Sequence, residues 1–189
     1  MAKRLQALGA LLVGATLAGG ALLAAPAANA VTCQGASTAV AQTAGPYYKP
    51  GAPSRTNITQ RGTVGTPLIV AGKVLDSTCR PLAGARLEFW QADGRGRYDN
   101  AGYRLRGTQV TNATGAYRLT TVIPGQYPGR TEHIHVRITP RGESPFITQL
   151  YFPGSTHNEE DGIYSPAMLL KVVKDAPAQM RAAYTFVLP

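Results

Sequence analysis

From Pro67 onward the chain alternates short apolar runs of strand length with turn residues: "LIVAGKVLD", "ARLEFWQAD", "GAYRLTTV", "HIHVRI", "ITQLYF" and, at the end, "AYTFVLP". Each run is rich in β-branched or aromatic side chains and is bounded by Gly, Pro, Asn or Asp. No long stretch carries the helical period of apolar positions. The pattern predicts an all-β fold, a β-sandwich over residues 67–189, with a short helix over Ala176 to Arg181 as its helical candidate. Residues 31–66 are different. They are rich in Thr, Gly, Pro and Ser, and "TAGPYYKPGAPSRTN" cannot propagate a helix through its prolines and glycines, which predicts an extended N-terminal arm.

The first 30 residues follow neither pattern. "MAKRL" is a short basic start, and the Ala/Leu/Gly/Val run after it ends in "APAANA". A charged start, an apolar stretch and a small-residue ending together predict a secretory signal peptide over residues 1–30, cut after Ala30. A retained membrane anchor is the alternative, and the Ala- and Gly-rich run argues against it. The expectation is a secreted protein with no stable membrane insertion after cleavage. The formal charge of +9 falls to +7 when Lys3 and Arg4 leave with the signal. The remaining basic residues are scattered, without dense runs or interleaved aromatic residues, so no nucleic-acid partner is expected. The two cysteines, Cys33 and Cys79, meet an oxidising environment in an exported chain, which predicts one disulfide tying the arm to the body.

Candidate chemistry concentrates in "PGQYPGRTEHIHV". On a strand, His133 and His135 share one face while Ile134 and Val136 share the other. Two imidazoles so spaced can reach one ion, and they fit equally a hydrogen-bonded cluster or the solvent face of an ordinary strand. Tyrosines widen the metal option. A phenol with a pKa of about 10 becomes a ligand when a strongly acidic cation displaces its proton. Ferric iron favours hard phenolate oxygen more than zinc or copper(I) does. Tyr127, and Tyr98 in "WQADGRGRYDN", are the obvious phenols, although any one of the nine tyrosines also fits a half-buried strand position. His157 in "GSTHNEEDG" and the run Glu159, Glu160, Asp161 read as solvated loop residues. On residue type alone, Arg130 reads as a surface partner of Glu132 and Gln149 as an edge-strand amide. A G-x-S-x-G elbow, a P-loop and a dinucleotide fingerprint are missing, so hydrolase, NTPase and dehydrogenase chemistry lose support.

Over nearly the whole mature chain the sequence resembles the intradiol ring-cleavage dioxygenases, the family of catechol 1,2-dioxygenase and protocatechuate 3,4-dioxygenase. The resemblance runs from "TAGPYY" through "VLDSTCRPLAGARLEFWQADGRGRYDN" and "TNATGAYRLTTVIPGQYPGRTEHIHVRI" to "TQLYF". It implies a non-haem Fe(III) ion, one per chain, held by Tyr98, Tyr127, His133 and His135, with Tyr127 as the ligand that an arriving catechol displaces. It implies that Arg130 and Gln149 border the substrate, Arg130 against developing negative charge and Gln149 as a positioning amide. Through "GPYY" it also places Tyr47 and Tyr48 at the substrate pocket. The implied partners are small-molecule catechols and O2. The segment between Tyr127 and His133 is shorter than in protocatechuate dioxygenases, and the mature chain has no room for the helical dimerisation region of cytoplasmic catechol dioxygenases. The preferred catechol and the oligomeric state are therefore open.

Two other readings compete. A non-catalytic binding module of the transthyretin or Cna-B kind shares "GKVLD", "PLAGA" and "TNATGAYRL" as hairpin and turn residues, and has no use for Tyr98, His133, His135 and Gln149 together. A zinc or copper site on the two histidines would leave the tyrosines structural.

Overall fold

Short apolar runs broken by Gly and Pro bury their side chains by pairing into sheets that stack face to face. In the computed structural model, which describes residue 33 and residues 35–174 and 179–189, nine strands do this. They are β1 (Pro67–Leu75), β2 (Arg86–Trp90), β3 (Arg106–Val110), β4 (Ala116–Val122), β5 (His133–Thr139), β6 (Phe146–Tyr151), β7 (Lys171–Lys174), β8 (Met180–Ala183) and β9 (Phe186–Val187). Among the described residues the helical content is one turn of 3-10 helix at Pro166–Met168. The signal peptide expected over residues 1–30 lies outside the described residues.

The strands form two sheets. One runs β4-β1-β8-β7, with β9 also pairing to β1, and the other runs β3-β2-β5-β6. Leu68, Val70 and Val74 of β1 and Leu119 of β4 meet Leu87, Phe89, Ile134, Val136, Ile138 and Leu150 of the second sheet in one core cluster. Each such side chain, fully removed from water, contributes about 1.5–3 kcal/mol. The helix expected over Ala176 to Arg181 is corrected. Met180 and Arg181 open β8, which pairs in parallel with β1 from Leu68↔Met180 to Ala71↔Ala183, and 176–178 lie outside the described residues. A ladder beside a buried central strand outweighs the weak helix preference of an Ala-rich segment.

The arm explains how the sheets end. An edge strand presents unpaired N–H and C=O groups that need cover. Residues 38–58 supply it strand by strand: Gln42 N–H donates to Ile147 on β6, Arg55 N–H to Thr108 on β3, and Ile58 N–H to Thr120 on β4. Thr38 bridges Val187 of β9 in parallel, so the beginning of the arm is paired with the end of the chain. Upstream, Cys33 is joined to Cys79 in the β1–β2 turn by a disulfide. The two cysteines are 46 residues apart. Linking a loop of that length restricts the unfolded chain, a contribution of about 4 kcal/mol at most. Replacing Cys33 and Cys79 by serine is therefore expected to lower the unfolding free energy by about 2–4 kcal/mol, read from urea unfolding with m fitted for each protein, because loss of the cross-link lets the unfolded chain expand and raises m.

Candidate metal centre

The pleat of β5 sends Ile134, Val136 and Ile138 into the core and His133 and His135 to the opposite face. That second face is not solvent. His133 and His135 are 4% and 2% exposed, because the arm and the loops after β2 and β6 lie over them. The register sets their neighbours: His135 faces Trp90 on β2 and Gln149 on β6, and His133 faces Tyr151. The indole of Trp90 stacks on the His135 ring at 4.8 Å and 4°. From the arm, Gly45 holds a left-handed φ of 65° and passes so near the same ring that a Cβ placed on it would lie 3.4 Å from the imidazole.

The hydrogen bonds orient both imidazoles. His133 donates from Nδ1 to the Thr131 carbonyl at 2.6 Å, which leaves its Nε2 lone pair free. Its Nε2 lies 3.1 Å from Nε2 of His135, whose own Nδ1 is buried without a partner. Burial pulls His133 down to about 4, with the Thr131 bond working against it. Burial, then the charges of His133, Arg130 and Arg106, hold His135 well below its ordinary value of 6.5. Both rings are therefore neutral at physiological pH, as metal ligands must be.

The phenols arrive on two loops that touch. Tyr98 Oη is 3.3 Å from His133 Nε2, and burial raises its pKa, opposed by the positive charges of Arg130 and Arg106. Tyr127 opens the turn "YPGR", closed by Arg130 N–H donating to the Tyr127 carbonyl at 2.8 Å. Pro128 supplies its fixed φ at the second position, and Gly129 a φ of 76° at the third. One turn thus presents Tyr127 and Arg130 side by side. The two loops interlock through glycine: a Cβ on Gly96 would lie 1.7 Å from the Gln126 carbonyl oxygen, and one on Gly125 would lie 2.6 Å from that of Gly94. Tyr47 of the arm stacks on Tyr98 at 4.3 Å and meets the edge of Tyr127 at 5.3 Å. Tyr48 stands one layer back, with its ring against Trp90 at 5.0 Å and its hydroxyl donating to Glu88 at 3.1 Å.

Around the donors lies a polar frame that residue type and sequence neighbours do not reveal. Arg130 does not pair with Glu132: its Nε donates to Asp161 Oδ2 at 2.8 Å and its Nη2 to Gln149 Oε1 at 2.6 Å. Glu132 instead accepts from Thr131 and Ser155 hydroxyls. Asp161 is buried rather than solvated, because the backbone N–H groups of Thr131 and Ile163 also converge on its carboxylate, while Glu159 and Glu160 are exposed as expected. His157 is half-buried and bonded to Gln126 and Thr156. Gln149 does sit on an edge strand, β6, yet it is 0% exposed, because the arm covers that edge and its Thr43 carbonyl accepts from the amide. Arg106 was missed. Its guanidinium is buried and donates to the backbone carbonyls of Tyr47 and Asp99, tying the arm to the Tyr98 loop.

Among the described residues no three His, Cys, Asp or Glu side chains gather to hold a cation. A cation at His133 and His135 would take phenols as its other donors, and this set suits a hard, strongly acidic ion. A cleft of about 420 Å³, bounded by Tyr127, Arg130, Thr131, His157 and Asp161, adjoins it.

Fold and site together define a β-sandwich whose chemistry gathers under an arm, on a paired set of imidazoles and phenols. A family model described as a dioxygenase matches residues 43–188, and the chain belongs to the intradiol dioxygenase family. It is 31% identical over 149 residues to the catechol 1,2-dioxygenase of Candida albicans, across 64% of this chain and 49% of that one. It is 32% identical over 121 residues to the protocatechuate 3,4-dioxygenase beta chain of Burkholderia cepacia, across 53% of this chain and 51% of that one. The chain spans about half the length of the curated relatives it matches. Among solved structures, the dioxygenase domain of a dioxygenase carbohydrate-binding protein fusion from Streptomyces sp. SirexAA-E is 44% identical. It has a TM-score of 0.76 and covers 80% of this chain and 97% of that one. The intradiol ring-cleavage dioxygenase from Tetranychus urticae is 27% identical with a TM-score of 0.73, covering 80% and 94%.

The depressed imidazoles set a pH dependence. In the metal-free protein the unfolded chain takes up protons near pH 6.5 that folded His133 refuses until about 4. Stability is therefore complete above 6.5 and falls as the pH drops toward 4, by about 3 kcal/mol for this one group. The melting temperature of metal-free protein is expected to follow that fall, and His133→Gln to flatten it; an equal slope in the variant contradicts the assignment.

Proposed function

We propose that this protein is an exported, iron-dependent intradiol dioxygenase that opens catechol-type rings between the two hydroxylated carbons. Both atoms of O2 would enter the product, a cis,cis-muconate-type diacid. The observation that carries this reading is that Tyr98 Oη and His135 Nε2 lie 3.3 Å and 3.1 Å from His133 Nε2, with Tyr127 set edge-on to Tyr98.

Tyr98, Tyr127, His133 and His135 are the residues that would hold one non-haem ferric ion. Bound there, the ion supplies Lewis acidity, which lets phenols and catechols give up protons near neutral pH. The remaining work belongs to the chain. Thr131 keeps the His133 proton on Nδ1, so Nε2 stays available. Trp90 stacks on His135, and the ring is almost fully removed from water. Tyr127, on its tight turn at the cleft, accepts one of the two catechol protons at Oη. Arg130, the other end of that turn, sets a positive charge against negative charge developing on the substrate, where low dielectric strengthens it. Gln149 orients the substrate with an amide already fixed by Thr43 and Arg130.

The names of the relatives support a catechol-type substrate, and the cleft has the volume of a small-molecule site. Export is supported by the signal-like start and by the Cys33–Cys79 disulfide, a bond that persists in oxidising compartments.

Purified protein is expected to be red, with a ferric EPR signal and about one iron per chain, and to consume O2 with a panel of catechols. Protein that stays colourless after iron loading overturns the reading. Tyr127→Phe is expected to shift the visible charge-transfer band and weaken catecholate binding. If both stay as in the wild type, Tyr127 is not a ligand.

A further inference from the structure

One buried acid has no part in the chemistry above. Asp161 has a side-chain exposure of 1%, and its Oδ2 lies 2.8 Å from Nε of Arg130, itself 17% exposed. The same Oδ2 accepts the Thr131 N–H at 3.1 Å, and Oδ1 accepts the Ile163 N–H at 3.1 Å. One carboxylate therefore fastens the loop after β6 to the backbone that enters β5 just before His133. A carboxylate this dry persists only where charge and hydrogen bonds compensate it.

Its effect on Arg130 is directional. Nε is committed to Asp161 and Nη2 to Gln149 Oε1 at 2.6 Å, while Gln149 Nε2 is committed to the Thr43 carbonyl at 3.1 Å. The planar guanidinium is thus fixed at two of its three nitrogens, and among the described residues no hydrogen bond uses Nη1. Without Asp161, a long side chain on a surface turn would sample many rotamers.

We propose that Asp161 is the positioning residue for Arg130: it fixes the guanidinium so that Nη1 is the nitrogen left for a bound catechol, and through Arg130 it fixes the Gln149 amide. The catechol in this statement rests on the dioxygenase reading; the lock between Asp161 and Arg130 does not.

The test uses the full mature protein, iron-loaded, with catechol as substrate. Asp161→Asn is expected to lower kcat/KM by about 10- to 100-fold, mostly in kcat, with iron content and the visible band retained. Glu159→Gln, an exposed neighbour, is expected to match the wild type. The loss from Asp161→Asn should vanish when Arg130 is already Gln, because a residue that acts through Arg130 has nothing left to position. An equal loss in both backgrounds marks Asp161 as a loop fastener only and overturns the proposal. A second measurement needs no Asp161 variant. In metal-free wild type labelled with 15N-arginine, the Arg130 Nε–H, assigned by its absence in Arg130→Gln, should exchange slowly with solvent. Fast exchange overturns the lock. A wild type inactive on catechols with a slow Arg130 Nε–H sinks the dioxygenase reading and leaves the lock standing. An active wild type whose Asp161→Asn variant turns over at the wild-type rate sinks the positioning role alone.

Discussion

Around the paired histidines the second sheet is buried on both of its faces, and the site depends on that burial. Ile134, Val136 and Ile138 pack into the sandwich, while Trp90, His133, His135 and Gln149, pointing the other way, are covered by the arm and two loops. A polar side chain under cover has to find partners, and it resists charge. Burial accordingly moves imidazoles down and the Tyr98 phenol up, so that all three stay neutral. Neutral nitrogen and protonated oxygen, held close together, form a site that would take on charge if a cation displaced the phenolic proton. The arm is therefore part of the chemistry, since it contributes Gly45, Tyr47 and the Thr43 carbonyl to the cover.

Glycine decides how closely the pieces approach. Gly96 and Gly125 let the loops bearing Tyr98 and Tyr127 pass backbone against backbone, where any side chain would force them apart. The loops are mechanically one unit, so the spacing of the two phenols follows from main-chain contact instead of from flexible side chains. Arg106 adds a third tie, joining the Tyr98 loop to the arm through two carbonyls.

β1, β2, β4, β5, β6 and β9 were legible in the sequence because their turn residues and β-branched runs report local preference directly; β3, β7 and most of β8 fell outside the apolar runs and take their form from pairing with neighbours. Both histidines were legible too, since period-2 alternation puts them on one face whatever the partners. What that face met was not legible: alternation alone could not tell solvent from the cover of an arm nearly a hundred residues earlier. The same gap explains Asp161, which sits in an acidic run that looks solvated beside Glu159 and Glu160. Its burial arises from Arg130 and Thr131, 30 or so residues upstream in the chain and adjacent only in the fold. The helix over Ala176 to Arg181 failed for a similar reason, because pairing with β1 is a long-range fact. The "PG" of "YPGR" did signal its turn, and the placement of Tyr127 beside Arg130 could have been drawn from it.

The bridge between Thr38 and Val187 bears on the order in which this molecule can come into being. The arm is synthesised before any strand, yet the edges it covers belong to β3, β4 and β6, and its bridge at Thr38 waits for β9 at the far end of the chain. Contacts so distant in sequence form late, after the loops they close have been drawn in. The cover over His135 is thus expected to close late in folding, leaving the donors open to the surroundings until it does.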